Sequence, residues 1–527
     1  MRREFAGSIR NLALGMVVGL VCLHHFGMAQ AQDERAPIRI SERPWMVFWM
    51  SSLARTLAAC DVIYDSVGRG DLSDSLEERL KFSEFQGIDR SRPLGMMYTW
   101  DDEQSIQSFF IPVHQIDDLM KTATFGVVEY HKVKDDQYEI ERPGIPYHVV
   151  VRSGYALFGE DVPALNALRE APERLTRDLR DKYDGVFMLD QRQMPIDSKK
   201  KLVAEMRGQF EPWLQKQDDE SMESAAVRKA IGKALLDAYE LLIDDVQTLT
   251  VGVRIDRRTY QLKLDLIVQA EPGSTMAGEL NRLVVQRSEF SALVNRDASA
   301  GLAINWPLTL LGKDVPALGG NKITSGRLDL GVQLVGSDWT DMTLIAGIRG
   351  PEATALNAAI PHFLTRMEKS PEFTSIQRNV EKYRNVDLHH VVPSRVPDML
   401  KSILPTGVEM AIGQGKQTVW LAAGPPETLS DRLYAAVDSV EDTPAEERSS
   451  AVMQGRLSVG KWPSAIPLVD PQDAREELQK SKDGFSMSVQ PIRNGIKIEL
   501  SAEEGLLRVI GRHWARQIDR EAAIPAN

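Results

Sequence analysis

The chain has 527 residues, 43% of them apolar and 26% charged, with 63 Lys plus Arg against 75 Asp plus Glu for a net charge of −12. Such a composition belongs to globular chains rather than disordered or fibrous ones, and with no basic field to displace counterions from phosphates it argues against nucleic-acid binding. The two cysteines, Cys22 and Cys60, are too few for a disulfide framework or a thiolate zinc site.

The N-terminus reads as an export signal. Arg2, Arg3 and Arg10 are followed by the uncharged apolar run Leu12 to Leu23, too short to cross a bilayer comfortably, and then by Ala29-Gln30-Ala31. Small residues at Ala29 and Ala31 are what signal peptidase accepts, so cleavage is expected after Ala31. Val21 before Cys22 argues against lipidation, and the Arg2-Arg3 pair only partly matches a twin-arginine signal. Removing residues 1–31, with three Arg and one Glu among them, leaves 496 residues at −14, a lone Cys60 and no expected membrane span. The expected location is periplasmic or extracellular.

From residue 44 onward, Met46, Met50, Leu53, Leu57, Cys60 and Tyr64 recur at helical spacing and predict one helix from about Pro44 to Val67, packed on the first sheet. Two alternating β runs joined by a turn and followed by a helix start then recur. They turn at Arg152-Ser153-Gly154, Asp256-Arg257-Arg258, Gly336-Ser337-Asp338, Gly413-Gln414-Gly415 and Arg493-Asn494-Gly495, with helices starting near Pro163, Pro272, Pro351, Pro425 and Ser501. A looser instance covers Met96 to Leu119. The last three intervals between helix starts are 79, 74 and 76 residues. The expected fold class is therefore α+β, with tandem antiparallel-sheet modules built from hairpin–helix units and helices on one face. The division is 1–31 signal, 32–170 first module with an N-terminal helix, 171–245 a mainly helical connector, then modules at 246–325, 326–400, 401–450 and 451–527. Within the connector, helices are expected over Lys199 to Gln217, broken near Pro212, and over Met222 to Ile243.

Chemistry is sparse. No nucleophile elbow, phosphate loop, zincin helix or calcium loop is present, so no cofactor is expected. The weak catalytic candidates are the adjacent His389 and His390, because imidazoles serve as acid–base groups and metal ligands near neutral pH, and Asp190 at the end of an apolar run. On a strand the two histidines point to opposite faces, so they are a poor pair for one metal ion. Asp190 and the Asp101-Asp102 pair sit where turn and cap residues usually do.

The stretch Asn494-Gly495-Ile496-Lys497-Ile498-Glu499-Leu500 through Glu503-Glu504-Gly505-Leu506-Leu507 resembles the ending of uncharacterised secreted proteins of planctomycete-type bacteria, and Gly273-Ser274 with Ser288-Glu289-Phe290 is similar in the same way. The resemblance implies export and an α+β fold, and no activity. The expected function is that of an exported, non-enzymatic binding or envelope-structural protein with a protein or envelope-component partner. Two alternatives stand beside it: an exported hydrolase with a His/carboxylate site in an inter-module cleft, and a carrier of an apolar ligand that uses the Met and Trp residues of the first module.

Overall fold

The computed structural model describes residues 43–72, 86–100, 105–123, 129–141, 147–168, 170–215, 222–283, 287–307, 327–336, 341–395, 407–461, 476–478 and 482–523. Ala29, Ala31 and the Asp101-Asp102 pair lie outside them.

Twenty strands join into one antiparallel sheet. The first ten are β1 (Met46–Met50), β2 (Leu94–Trp100), β3 (Ser105–Pro112), β4 (Tyr130–Lys134), β5 (Gln137–Ile140), β6 (Tyr147–Arg152), β7 (Tyr155–Gly159), β8 (Gly185–Asp190), β9 (Val246–Asp256) and β10 (Gln261–Ala270). The second ten are β11 (Ala300–Pro307), β12 (Arg327–Val335), β13 (Thr343–Arg349), β14 (Phe373–Tyr383), β15 (Val386–Pro393), β16 (Glu409–Gln414), β17 (Thr418–Gly424), β18 (Met453–Ser458), β19 (Gly484–Ile492) and β20 (Gly495–Ala502). Across the first half of the sheet the order is 4-5-6-7-3-2-1-8-9-10. The second half continues 20-19-18-11-12-13-17-16-15-14. Read from its own edge, the second half repeats the first strand for strand, and the two corresponding strands β10 and β20 pair with each other, Leu264 opposite Leu500.

The helices are α1 (Leu53–Ser66), α2 (Ile116–Ala123), α3 (Val162–Ala167), α4 (Pro172–Arg180), α5 (Ile196–Leu214), α6 (Met222–Asp245), α7 (Thr275–Asn281), α8 (Pro351–Met367), α9 (Pro426–Asp442) and α10 (Glu504–Ala523). Proline opens α4, α8 and α9, where its missing N–H costs nothing, and Asp161 and Ser274 cap α3 and α7 with side-chain oxygens.

Successive side chains alternate across the sheet, and both faces are used. On the front face, Val47, Trp49, Met97, Phe110, Tyr155 and Leu157 pack under Leu165, Leu175 and Leu179 of α3 and α4. At the far end of the same face, Ile345, Leu388 and Trp420 pack with Phe290 and Leu293 under Leu429, Leu433 and Val437 of α9. Between these blocks the front face is polar. Tyr183 donates to Asp265 (2.7 Å) and Lys497 lies 3.0 Å from Asp265 and 2.6 Å from Glu499. The back face carries α2 at one end, α8 at the other, and α7 and α10 between them.

Three expectations are corrected. The N-terminal helix begins only at Leu53. Met46–Met50 is a strand in which Val47 and Trp49 face one core, and Ser52 ends it by capping α1 through its Oγ. The strand pairing also crosses the expected module borders. β1 pairs with β8 of the expected helical connector, and β10 pairs with β20 near the C-terminus. Helix α5 runs through Pro212 rather than breaking at it.

Candidate functional site

On the back face of the first half lies a groove of about 520 Å³. Phe48 and Met50 of β1, Leu94 and Met96 of β2, Phe109 and Ile111 of β3, Tyr147 of β6 and Phe158 of β7 line it. The register makes this lining inevitable once the front face is set. Val47, Trp49, Met97 and Phe110 face the front core, so their neighbours at odd spacing face the back, where Phe48 sits opposite Met96 and Phe109 opposite both Met96 and Phe158. Among the described residues, no charged side chain contributes to the lining. Phe109 is 37% exposed, a large apolar surface to leave in water, and Phe48, Met50, Leu94 and Met96 are half-buried.

The size of α2 explains the opening. Its Leu119 and Met120 are buried against Tyr138, Val149 and Phe158, so it covers the outer end of this face. Its eight residues, Ile116–Ala123, span about 12 Å. In the second half the corresponding helix α8 has seventeen residues and packs against β12, β13, β14 and β17. Ile360, Leu364 and Met367 of α8 close over Val391 and Ile412, and the same face carries the compact cluster of Leu334, Leu344, Met410 and Ala423.

Beyond the lining residues, the same face of β2 and β3 turns polar and aromatic. Tyr98 stands opposite Gln107 in the register, and Trp100 follows on the same face. Trp45 lies beside both aromatic rings, 6.5 Å from Tyr98 and 5.8 Å from Trp100, and its indole N–H donates to Ser105 Oγ (3.0 Å). Burial raises the Tyr98 hydroxyl above its ordinary pKa.

The residues singled out in the sequence lie elsewhere. His389 and His390 are at the opposite end of the sheet and point to opposite faces, as their strand position requires. His389 is 4% exposed among the residues under α8, and the N–H of Asn379 donates to its Nδ1 (3.1 Å). Its ring proton therefore belongs on Nε2, which is buried without a well-formed hydrogen bond. Burial lowers the His389 pKa, against a smaller opposite pull from Gln414 and Asp387. His390 pairs in the ladder with Ala411 and Gln377. Asp190 ends β8 as a cap: it accepts from the Arg192 N–H (3.2 Å) and holds the Arg192 guanidinium at 2.8 and 2.7 Å. Cys60 is half-buried on α1, and burial with the Asp61 charge pushes its thiol up to about 11, an unreactive state at neutral pH. Among the described residues no group of three or more His, Cys, Asp or Glu is placed to hold a metal ion, and no helix is long and apolar enough to cross a membrane.

No known protein family, curated protein or solved structure matches the chain.

Proposed function

We propose that the protein is an exported binding protein without catalytic activity, and that its ligand is an apolar chain held in the back-face groove. One observation carries the reading: a cleft of about 520 Å³ with an apolar lining stands open on a face that the other half of the same sheet covers with a helix. Its volume lies within the range of small-molecule sites, roughly 300–1,000 Å³. Half-buried Phe and Met side chains supply adaptable, polarisable contacts to a flexible hydrocarbon. The candidate acid–base groups support the non-enzymatic part, since His389 is packed under α8 and Asp190 is committed to Arg192. Export rests on the basic and apolar N-terminus with Ala29 and Ala31. The repeated strand order supports taking the ten-strand half, with a helix after three of its hairpins, as the duplicated unit in place of modules of 75–80 residues.

Titration with a polarity-sensitive fluorophore on a twelve-carbon chain tests the reading. The wild-type chain is expected to bind it saturably, and Phe109→Asp to weaken binding at least about tenfold, because a carboxylate in an apolar site carries a desolvation cost of that scale or more. Phe363→Asp is the control, since Phe363 is 54% exposed on α8. Equal binding by the wild type and Phe109→Asp would refute the assignment of the groove.

A further inference from the structure

Resting on the groove reading above, we infer that the ligand is an acyl chain ending in a neutral hydrogen-bond acceptor, an ester or amide carbonyl, and that Tyr98 and Gln107 recognise that head. Both residues face the groove side of the sheet and stand directly opposite each other on β2 and β3. Their donors converge on a lining residue of the groove: the Tyr98 hydroxyl lies 3.9 Å and the Gln107 amide nitrogen 3.6 Å from Met96 Sδ. A thioether is a weak acceptor, so two strong donors at the end of an apolar trough point at sulfur where an oxygen would serve them better. Trp100, next on the same face, has its indole N–H buried without a hydrogen-bond partner among the described residues. Buried donors in native structures are normally satisfied, and an unfilled one calls for a physical reason. A bound carbonyl oxygen, with its two lone pairs, gives the Tyr98 and Gln107 donors the acceptor that sulfur supplies poorly.

The head is neutral because two described cations that the chain brings toward Trp45, Arg192 and Arg43, are already engaged. Arg192 is held by Asp190, whose own N–H bonds to the Trp45 carbonyl, and Arg43, two residues before Trp45, lies 3.5 Å from Glu170. A carboxylate would have to share either cation with its present partner. From Leu94 to Trp100 the back face of β2 runs about 20 Å, enough for a medium-length chain.

Three competitors presented from cyclodextrin separate the possibilities: methyl laurate, laurate at pH 8, and tetradecane. Methyl laurate is expected to displace the fluorophore at about tenfold lower concentration than tetradecane, the scale of one or two neutral hydrogen bonds. Laurate should compete no better than the alkane. The Tyr98→Phe/Gln107→Leu double variant should bring the ester down to the alkane's affinity. In the wild type, the infrared band of a carbonyl-labelled ester should shift to lower frequency than in hydrocarbon solvent. Equal competition by ester and alkane, preference for the carboxylate, or a carbonyl band at its hydrocarbon position would each overturn the inference while leaving the groove reading intact. Failure of all three competitors would overturn both.

Discussion

The two halves of the sheet share one strand order and differ in how the back face is closed. In the second half, α8 lays Leu364, 1% exposed, with Ile360 and Met367 over Val391 and Ile412. In the first half the helix at the same point of the strand order has less than half the residues, and the facing residues include Phe109 and Phe158. A short helix leaves a groove where a long one makes a core. An identical topology thus yields one half packed under its helix and one half with an open groove, and the difference lies in helix length rather than in strand pairing.

The largest expected effect separates core from groove by stability. Leu364→Ala removes a fully buried side chain and is expected to cost about 2–5 kcal/mol in urea unfolding. Phe109→Ala, at a position already 37% exposed, should cost about 1 kcal/mol or less while weakening binding of the acyl fluorophore. Similar losses at both sites would mean that the groove is packed in solution and would break the comparison. A smaller effect sharpens it at the glycines that end β7 and β17. A Cβ on Gly424 would fall 2.4 Å from Thr343 Oγ1 and 3.0 Å from its Cα, whereas on Gly159 the nearest atom is the terminal Cδ2 of Leu165 at 3.2 Å. Gly424→Ala should therefore destabilise by about 1–3 kcal/mol, and Gly159→Ala by less, since a side-chain methyl yields more readily than backbone. Reversal of that order in thermal or urea unfolding would contradict the tighter packing around Gly424.

Local features of this architecture are legible in the sequence and long-range ones are not. The hairpin turn at Ser153-Gly154 and the turn residue Asn494 adopt positive φ, which is why serine, glycine and asparagine mark these turns. Pro351 and Pro426 open helices within a residue or two of where their neighbourhoods predict them. The segment from Met46 to Met50 misleads because Met46, Met50, Leu53 and Leu57 fit a helix while Val47 and Trp49 fit a strand. The decision falls to β2 and β8, which pair with it from about fifty and one hundred and forty residues away. No local pattern announces that Leu262 will pair with Ala502, so the single sheet could not be read from its hairpins. The alternation on β1, β2 and β3 shows which residues share the groove face. Whether that face is covered depends on where α2 stops, and that is a tertiary property. Met50 belongs to the Met and Trp set of the first module that raised ligand carriage as an alternative. Tyr98 and Gln107 stood in no motif, and only their meeting at Met96 Sδ draws notice.

The smallest expected effect concerns His389, in the packed half. Its pKa in the folded protein lies below the unfolded value of about 6.5 because burial penalises the imidazolium. As pH falls below that value the unfolded chain takes up the proton first. The stability that the neutral ring supports is thus present above the unfolded pKa and is lost as pH falls through the folded pKa. Asp329 acts in the opposite sense: burial pushes its carboxyl up to about 6, so its contribution is present below the ordinary carboxylate range and is lost as pH rises through about 6. The windows overlap, and the total pH dependence of stability will not reveal either group. The difference between the wild type and His389→Gln isolates the imidazole, since glutamine does not titrate. Measured by urea midpoint, the wild type should gain on the variant between about pH 5 and about pH 7.5. A constant difference would mean that His389 is protonated as readily in the folded chain as in the unfolded one, and that α8 seals its end of the sheet less completely than the burial of His389 indicates.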